Sequence, residues 1–193
     1  MVPVAQSRPR RLLIALFVIY LVLLAWAILW KFEIPYVGRA AGFARPIKLL
    51  PFLPIGDYNA SNPFEVLGNV LLFIPFGLYL GSLARSWRWW MLTGVFLGAS
   101  VVLETTQHLL STGSFDTSDL ISNTAGGLVG LGLLALARRR FGARATTIGI
   151  RVGLIGTALA LLAIVALFVS PFRYGPQHDV VVPRSAATVA LAS

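Results

Sequence analysis

The chain lacks cysteine altogether and is poor in charged residues. With no cysteine among its 193 residues, disulfides and thiolate chemistry are excluded. Charged residues make up 12% of the chain, whereas a soluble domain usually has about a quarter. The charge is missing in blocks, each close to the ~20 residues that span a bilayer. These apolar blocks cover residues 12–30, 66–84, 89–110, 120–137 and 152–169.

The blocks predict an all-α polytopic membrane protein with five transmembrane helices. Residues 1–11 form a basic tail, residues 12–170 the transmembrane domain, and residues 171–193 a mobile extracytoplasmic tail. Between the first two spans, the loop 31–64 contains five prolines. Proline interrupts regular structure, so we expect an irregular loop with a short interfacial helix near residues 37–50.

The distribution of basic residues predicts the orientation. Short loops rich in Lys and Arg remain in the cytoplasm. An N-inside, C-outside arrangement places ten of the sixteen basic residues in the cytoplasm and none in the outer loop 111–118. The predicted location is therefore the inner (cytoplasmic) membrane, which the chain crosses several times. The net charge is +9, but the basic residues flank the predicted spans and do not form a basic stripe interleaved with aromatic residues. No nucleic-acid partner is therefore predicted.

Pairs of glycines four residues apart occur in three consecutive predicted spans. In lipid, small residues at this spacing let helix backbones approach closely. The pattern predicts that helices 2–4 form a packed core, with helices 1 and 5 outside it. The pairs are Gly77 and Gly81, Gly94 and Gly98, and Gly126 and Gly130.

Polar side chains collect at the outer ends of these three helices. An ionisable group such as Glu104 is costly within a span and needs a partner. Asp119, which could also act as the N-cap of helix 4, shares a helix face with Asn123. Two interpretations stay open, a hydrogen-bonded packing knot and an outward-facing binding pocket. The candidate ligand-binding residues are Asn69, Glu104, Gln107, Asp116, Asp119 and Asn123.

No trusted metal-ligand spacing, phosphate loop or nucleophile arrangement accompanies these residues, so neither a metal nor a cofactor is predicted. Three stretches of sequence carry a family resemblance. They read Asn69-Val-Leu-Leu-Phe-Ile-Pro75-Phe-Gly77, then Glu104-x-x-Gln107, then Ser114-Phe-Asp116-x-x-Asp119-x-x-x-Asn123-x-x-Gly126-Gly127. Together they resemble the VanZ-like membrane proteins over a signature region of residues 62–137.

The resemblance implies a small multi-span bacterial protein related to the accessory factor that reduces susceptibility to the lipoglycopeptide teicoplanin. It implies no settled mechanism. Many members place an arginine just before the Ser-Phe-Asp step, where this chain has Ser111-Thr112-Gly113. That arginine would be a counter-ion for the acids. Its substitute here would have to come from the outer loop, from Arg39, Arg45 or Lys48.

Three functions compete at this stage. The first is a non-catalytic factor whose pocket binds an amphiphile, either the lipidated drug or a cell-wall lipid, at the outer leaflet. The second is a membrane-embedded enzyme acting on a lipid headgroup, with Glu104, Asp116 and Asp119 as acid–base or metal-holding groups. The third is a structural subunit in which the polar residues only hold the helices together.

Overall fold

Four long helices make up most of the described structure, which is a computed structural model. It describes residues 7–30, 47–53 and 63–144, together with the pairs 148–149, 151–152 and 155–156. The elements are α1 (Ser7–Trp30), β1 (Ile47–Lys48), α2 (Pro63–Leu83), α3 (Trp89–Leu109), β2 (Phe115–Asp116) and α4 (Thr117–Phe141), followed by a 3₁₀ turn, Gly142–Arg144. The predicted all-helical architecture is therefore confirmed.

Three of these helices are long and apolar enough to cross a membrane, namely Arg10–Trp30, Pro63–Leu83 and Thr117–Phe141. Helix α3, with 21 residues, matches α2 in length but does not belong to this apolar set. The predicted fifth span lies almost entirely outside the described residues, and the tail 171–193 lies wholly outside them. The count of five and the N-inside orientation stay predictions.

The closest helix contact joins α2 and α4, which run parallel and meet through glycines. A Cβ atom added to Gly126 would lie 2.3 Å from the Val70 carbonyl oxygen, and one added to Gly130 would lie 2.2 Å from the Ile74 carbonyl oxygen. One added to Gly77 would lie 2.1 Å from the Gly127 carbonyl oxygen. The two backbones therefore touch at positions where no other residue fits.

Helix α3 joins this pair through an aromatic side chain. The Phe96 ring lies against Gly127, where an added Cβ would come within 2.6 Å of ring atoms. Phe96 also meets Phe76 of α2 edge to face at 5.3 Å between ring centroids. The glycines of α3 itself have no such role. Gly94 and Gly98 are exposed and an added Cβ would find nothing within 4 Å, so their predicted packing role is wrong.

The expectation that helix 1 lies outside the core is also wrong. Leu24 and Ile28 of α1 belong to the same buried cluster as Phe73, Phe76 and Phe96. Tyr20 donates a hydrogen bond from its hydroxyl to the Leu72 carbonyl. This bond joins α1 to α2 and gives the Tyr20 hydroxyl the partner that lipid cannot supply.

The described part of the proline-rich loop contains a strand and no helix. β1 pairs in parallel with β2, with Ile47 opposite Phe115 and Lys48 opposite Asp116. The predicted interfacial helix near residues 37–50 is therefore wrong for residues 47–50, and residues 37–46 lie outside the described structure. This short pairing places the loop directly against the start of α4.

The glycine contacts predict opposite outcomes for the same substitution at two sites. Gly126→Ala forces a Cβ into the Val70 carbonyl and should lower the free energy of unfolding by roughly 1–3 kcal/mol. Gly98→Ala meets open space and should be neutral or slightly stabilising, because Ala is the better helix former. Thermal denaturation of both variants in the same detergent measures the difference. Equal midpoints would contradict the α2–α4 contact.

Candidate functional site

Asp116 caps α4 at its N-terminal end. Its backbone is extended (φ −125°, ψ 119°), and its side chain accepts a hydrogen bond from the Ser118 backbone N–H at 2.8 Å. Such a bond satisfies one of the amide groups that a helix start leaves without a partner. The predicted assignment of the N-cap to Asp119 is therefore wrong, since α4 begins at Thr117 and Asp119 is already its third residue.

Asp119 instead connects α4 to α2. Asn69 donates a hydrogen bond from Nδ2 to Asp119 Oδ1 at 2.7 Å. Asn69 directly precedes Val70, whose carbonyl oxygen lies against Gly126 of α4. The glycine contact thus brings the two helices close enough for a short amide and a short carboxylate to reach each other.

Glu104 lies at the centre of the polar region and is 1% exposed. Its Oε2 accepts a hydrogen bond from the Asp116 backbone N–H at 3.2 Å. This bond joins α3 to β2 and compensates part of the cost of burying a carboxyl group. The predicted need of Glu104 for a partner is met by a backbone amide.

Among the described residues, a cation of the predicted outer loop lies beside one of these acids. Lys48 Nζ lies 3.7 Å from Asp116 Oδ2, and both residues belong to the β1–β2 pair. Thr117 Oγ1 also donates to the Lys48 carbonyl at 3.0 Å. Of the three outer-loop substitutes considered for the arginine missing before Ser114, Lys48 is the one that the described structure places beside an acid.

The side-chain amides of Gln107 and Asn123 form hydrogen bonds between helices. Gln107 donates from Nε2 to the Ile28 carbonyl at 2.7 Å, one of the last four carbonyls of α1, which lack a partner within the helix. Asn123, which is fully buried, donates from Nδ2 to Ser100 Oγ at 2.9 Å. Its Oδ1 has no hydrogen-bond partner.

A cavity of about 160 Å³ opens between the four helices beside these groups. Its lining combines apolar and polar residues, and the two residues from α1 are both apolar. It is lined by Ala27, Ile28, Glu65, Gly68, Asn69, Leu72, Glu104, Gln107 and Asp119. Four of the six predicted ligand-binding residues thus share one cavity. Asp116 and Asn123 do not line the cavity. The Asp116 backbone contacts the lining residue Glu104, and Asn123 bonds to Ser100 of α3.

Two lining features went unpredicted. Glu65 lies one turn before Asn69 and, with Gly68 and Leu72, forms the α2 face that the cavity uses. The i, i+4 spacing of Glu65 and Asn69 was a signal that could have identified it. The α1 residues Ala27 and Ile28 carry no polar signal. Within the described ranges, no group of three His, Cys, Asp or Glu side chains is placed to hold a metal ion.

The Asn69–Asp119 hydrogen bond predicts rescue by an exchange of its two partners. Asn69→Asp alone sets two carboxylates against each other and should lower the free energy of unfolding by about 1–3 kcal/mol. Asn69→Asp combined with Asp119→Asn restores one amide donor and one carboxylate acceptor, so much of the loss should be recovered. Chemical denaturation is measured for Asn69→Asp, for Asp119→Asn and for the double variant. If the loss in the double variant equals the sum of the two single losses, a direct contact is ruled out.

Known proteins resemble this chain across the region just described. The family model of VanZ/LLP1 matches residues 17–138. The protein VanZ of Enterococcus faecium is 32% identical over 124 residues, which cover 64% of this chain and 74% of that protein. No solved structure matches the chain. Because the family match covers more than half of the chain and contains every residue that lines the cavity, the chain belongs to the VanZ/LLP1 family.

Proposed function

We propose that the cavity between α1, α2, α3 and α4 binds part of an amphiphile at the outer leaflet of the bacterial cytoplasmic membrane. The single observation that carries this proposal is the mixed lining of the cavity. Ile28 and Leu72 are apolar, whereas Glu104, Gln107 and Asp119 are polar. A ligand with an apolar and a polar part matches this arrangement, because small-molecule sites combine an apolar lining with a few placed polar groups.

The size of the cavity limits what it holds. Sites for drug-sized ligands usually enclose about 300–1,000 Å³, whereas this cavity encloses about 160 Å³. It fits one headgroup or one end of an acyl chain and excludes a complete lipoglycopeptide. The remainder of an amphiphile would lie in the surrounding lipid.

The polar residues of the lining favour a ligand that donates hydrogen bonds. Among the described residues, the lining contains three carboxyl residues, Glu65, Glu104 and Asp119, and neither Lys nor Arg. Amine, amide or hydroxyl groups pair with carboxylates, whereas phosphate supplies acceptors and negative charge. Lys48 pairs with Asp116 and does not line the cavity, so the described lining suits an amino- or hydroxyl-bearing headgroup better than a phosphate.

The proposed role in the cell follows from family membership. The chain is similar to the protein VanZ, and the family resemblance implies a link to reduced teicoplanin susceptibility. Teicoplanin is an amphiphile, and so are the lipid-linked cell-wall intermediates near which it acts. We propose that this chain lowers teicoplanin susceptibility by holding a cell-envelope lipid or the acyl end of the drug.

A purely structural role is the second candidate, and a specific observation favours it. Asn69, Gln107 and Asn123 each direct an amide donor at another helix. Such bonds hold helices together in lipid whether or not a ligand binds. The two functions differ in one respect, since only binding requires the cavity to stay empty of protein atoms.

Filling the cavity therefore separates the two candidates. Gly68 lines the cavity, and a Cβ added there meets nothing within 4 Å. Gly68→Leu should leave the fold intact and return teicoplanin susceptibility to that of cells without the protein. Gly132→Leu is the matched control, because Gly132 is also open to an added Cβ but lies outside the cavity lining. The minimum inhibitory concentration is measured at equal membrane abundance of each variant.

Retained protection by Gly68→Leu would sink the binding proposal. Loss of protection together with loss of abundance in Glu104→Gln, but not in Gly68→Leu, would support the structural candidate instead.

A further inference from the structure

The segment of residues 47–53 exposes a concentration of large apolar side chains. Leu49, Leu50, Phe52 and Leu53 are between 45% and 68% exposed, and no described element covers them. Soluble surfaces rarely display contiguous apolar patches without a binding role. In this protein, the segment lies next to helices that are apolar enough to cross a membrane.

Three contacts fix the segment to the beginning of α4. β1 pairs with β2 directly before the helix, and Thr117 Oγ1 donates to the Lys48 carbonyl at 3.0 Å. The Phe52 backbone N–H donates to Ser118 Oγ at 2.9 Å. Since α4 crosses the membrane from this end, the segment is held at the level where the bilayer meets water.

These contacts also satisfy backbone groups that lipid cannot satisfy. Non-helical backbone is tolerated at membrane depth only where protein supplies its hydrogen bonds. Thr117 and Ser118 supply two of them. Phe52 adopts a positive φ of 61°, which is unfavourable for a residue with a Cβ. The Ser118 hydroxyl accepts the Phe52 N–H, so this turn, with its exposed apolar side chains, is held beside the start of α4.

From these contacts, we infer that residues 47–53 form a membrane anchor that inserts Leu49, Leu50, Phe52 and Leu53 into the lipid leaflet at the N-terminal end of α4. The occupant of the apolar surface is lipid, because the tether sets the depth of the surface at the bilayer boundary. The anchor is connected through Lys48 and Asp116 to Glu104, which lines the cavity. Its position relative to lipid does not depend on what the cavity binds.

The absence of native cysteine allows a direct test in the full chain. Single variants Leu50→Cys, Val22→Cys and Ser111→Cys are labelled with an environment-sensitive fluorophore and reconstituted into phosphatidylcholine nanodiscs. Lipids with a spin label near the headgroup or deep in the acyl chain serve as quenchers. Val22, 64% exposed on α1, which is long and apolar enough to cross a membrane, is the apolar control. Ser111, in the turn after α3, is the polar control.

The anchor predicts blue-shifted emission at position 50 with quenching several-fold above that at position 111, strongest with the shallow spin label. Quenching no greater than at position 111 would overturn it. Blue-shifted emission that no spin-labelled lipid quenches would also overturn it, since a second protein copy would then cover the surface.

Discussion

The contact between the glycines of α4 and the backbone of α2 is the constraint on which the rest of the structure depends. In lipid, burying apolar surface contributes little to helix association, so close packing and polar contacts must supply it. Gly126 and Gly130 present bare Cα atoms to the Val70 and Ile74 carbonyls. Because α4 has no side chains at these two positions, its backbone approaches α2 closely. Short polar side chains on the two helices can then reach each other, as Asn69 and Asp119 do.

The polar site follows from that approach. Asn69 reaches Asp119 from the position directly before Val70, where the backbones of the two helices touch at Gly126. Glu104 arrives on α3, whose Phe96 occupies the space above Gly127. Asn69, Gln107 and Asn123 each donate an amide hydrogen bond to another helix, and Glu104 accepts one from the Asp116 backbone, as a low-dielectric environment favours. The cavity remains where α1 completes the bundle with the apolar residues Ala27 and Ile28.

The sequence was sufficient to predict a feature where a local residue pattern directly reflects a contact in the folded structure. Glycines at a spacing of four identified the α4 surface, and the polar residues at one end of three helices identified most of the cavity wall. The pattern failed for Gly98 because spacing does not tell which face of a helix meets protein and which meets lipid. It also misplaced the N-cap, since Asp116 and Asp119 are equally good capping residues.

Long-range contacts left no local signal. Lys48 reaches Asp116 through a strand pair of only two residues on each side, too short for any alternating pattern. Gln107 was expected near the other polar side chains, yet its amide donates to the main chain of α1 at Ile28. A backbone acceptor is present at every residue, so sequence alone could not select this one.

The account claims that the glycine contact between α2 and α4 creates the polar site. The most direct measurement is cross-linking of a chain with Asn69→Cys and Asp119→Cys by a short thiol-specific reagent in native membranes. The account predicts efficient intramolecular cross-linking, which falls sharply when Gly126→Leu is added and persists when Gly98→Leu is added. Absence of the cross-link, or equal yields in the two glycine variants, would contradict it.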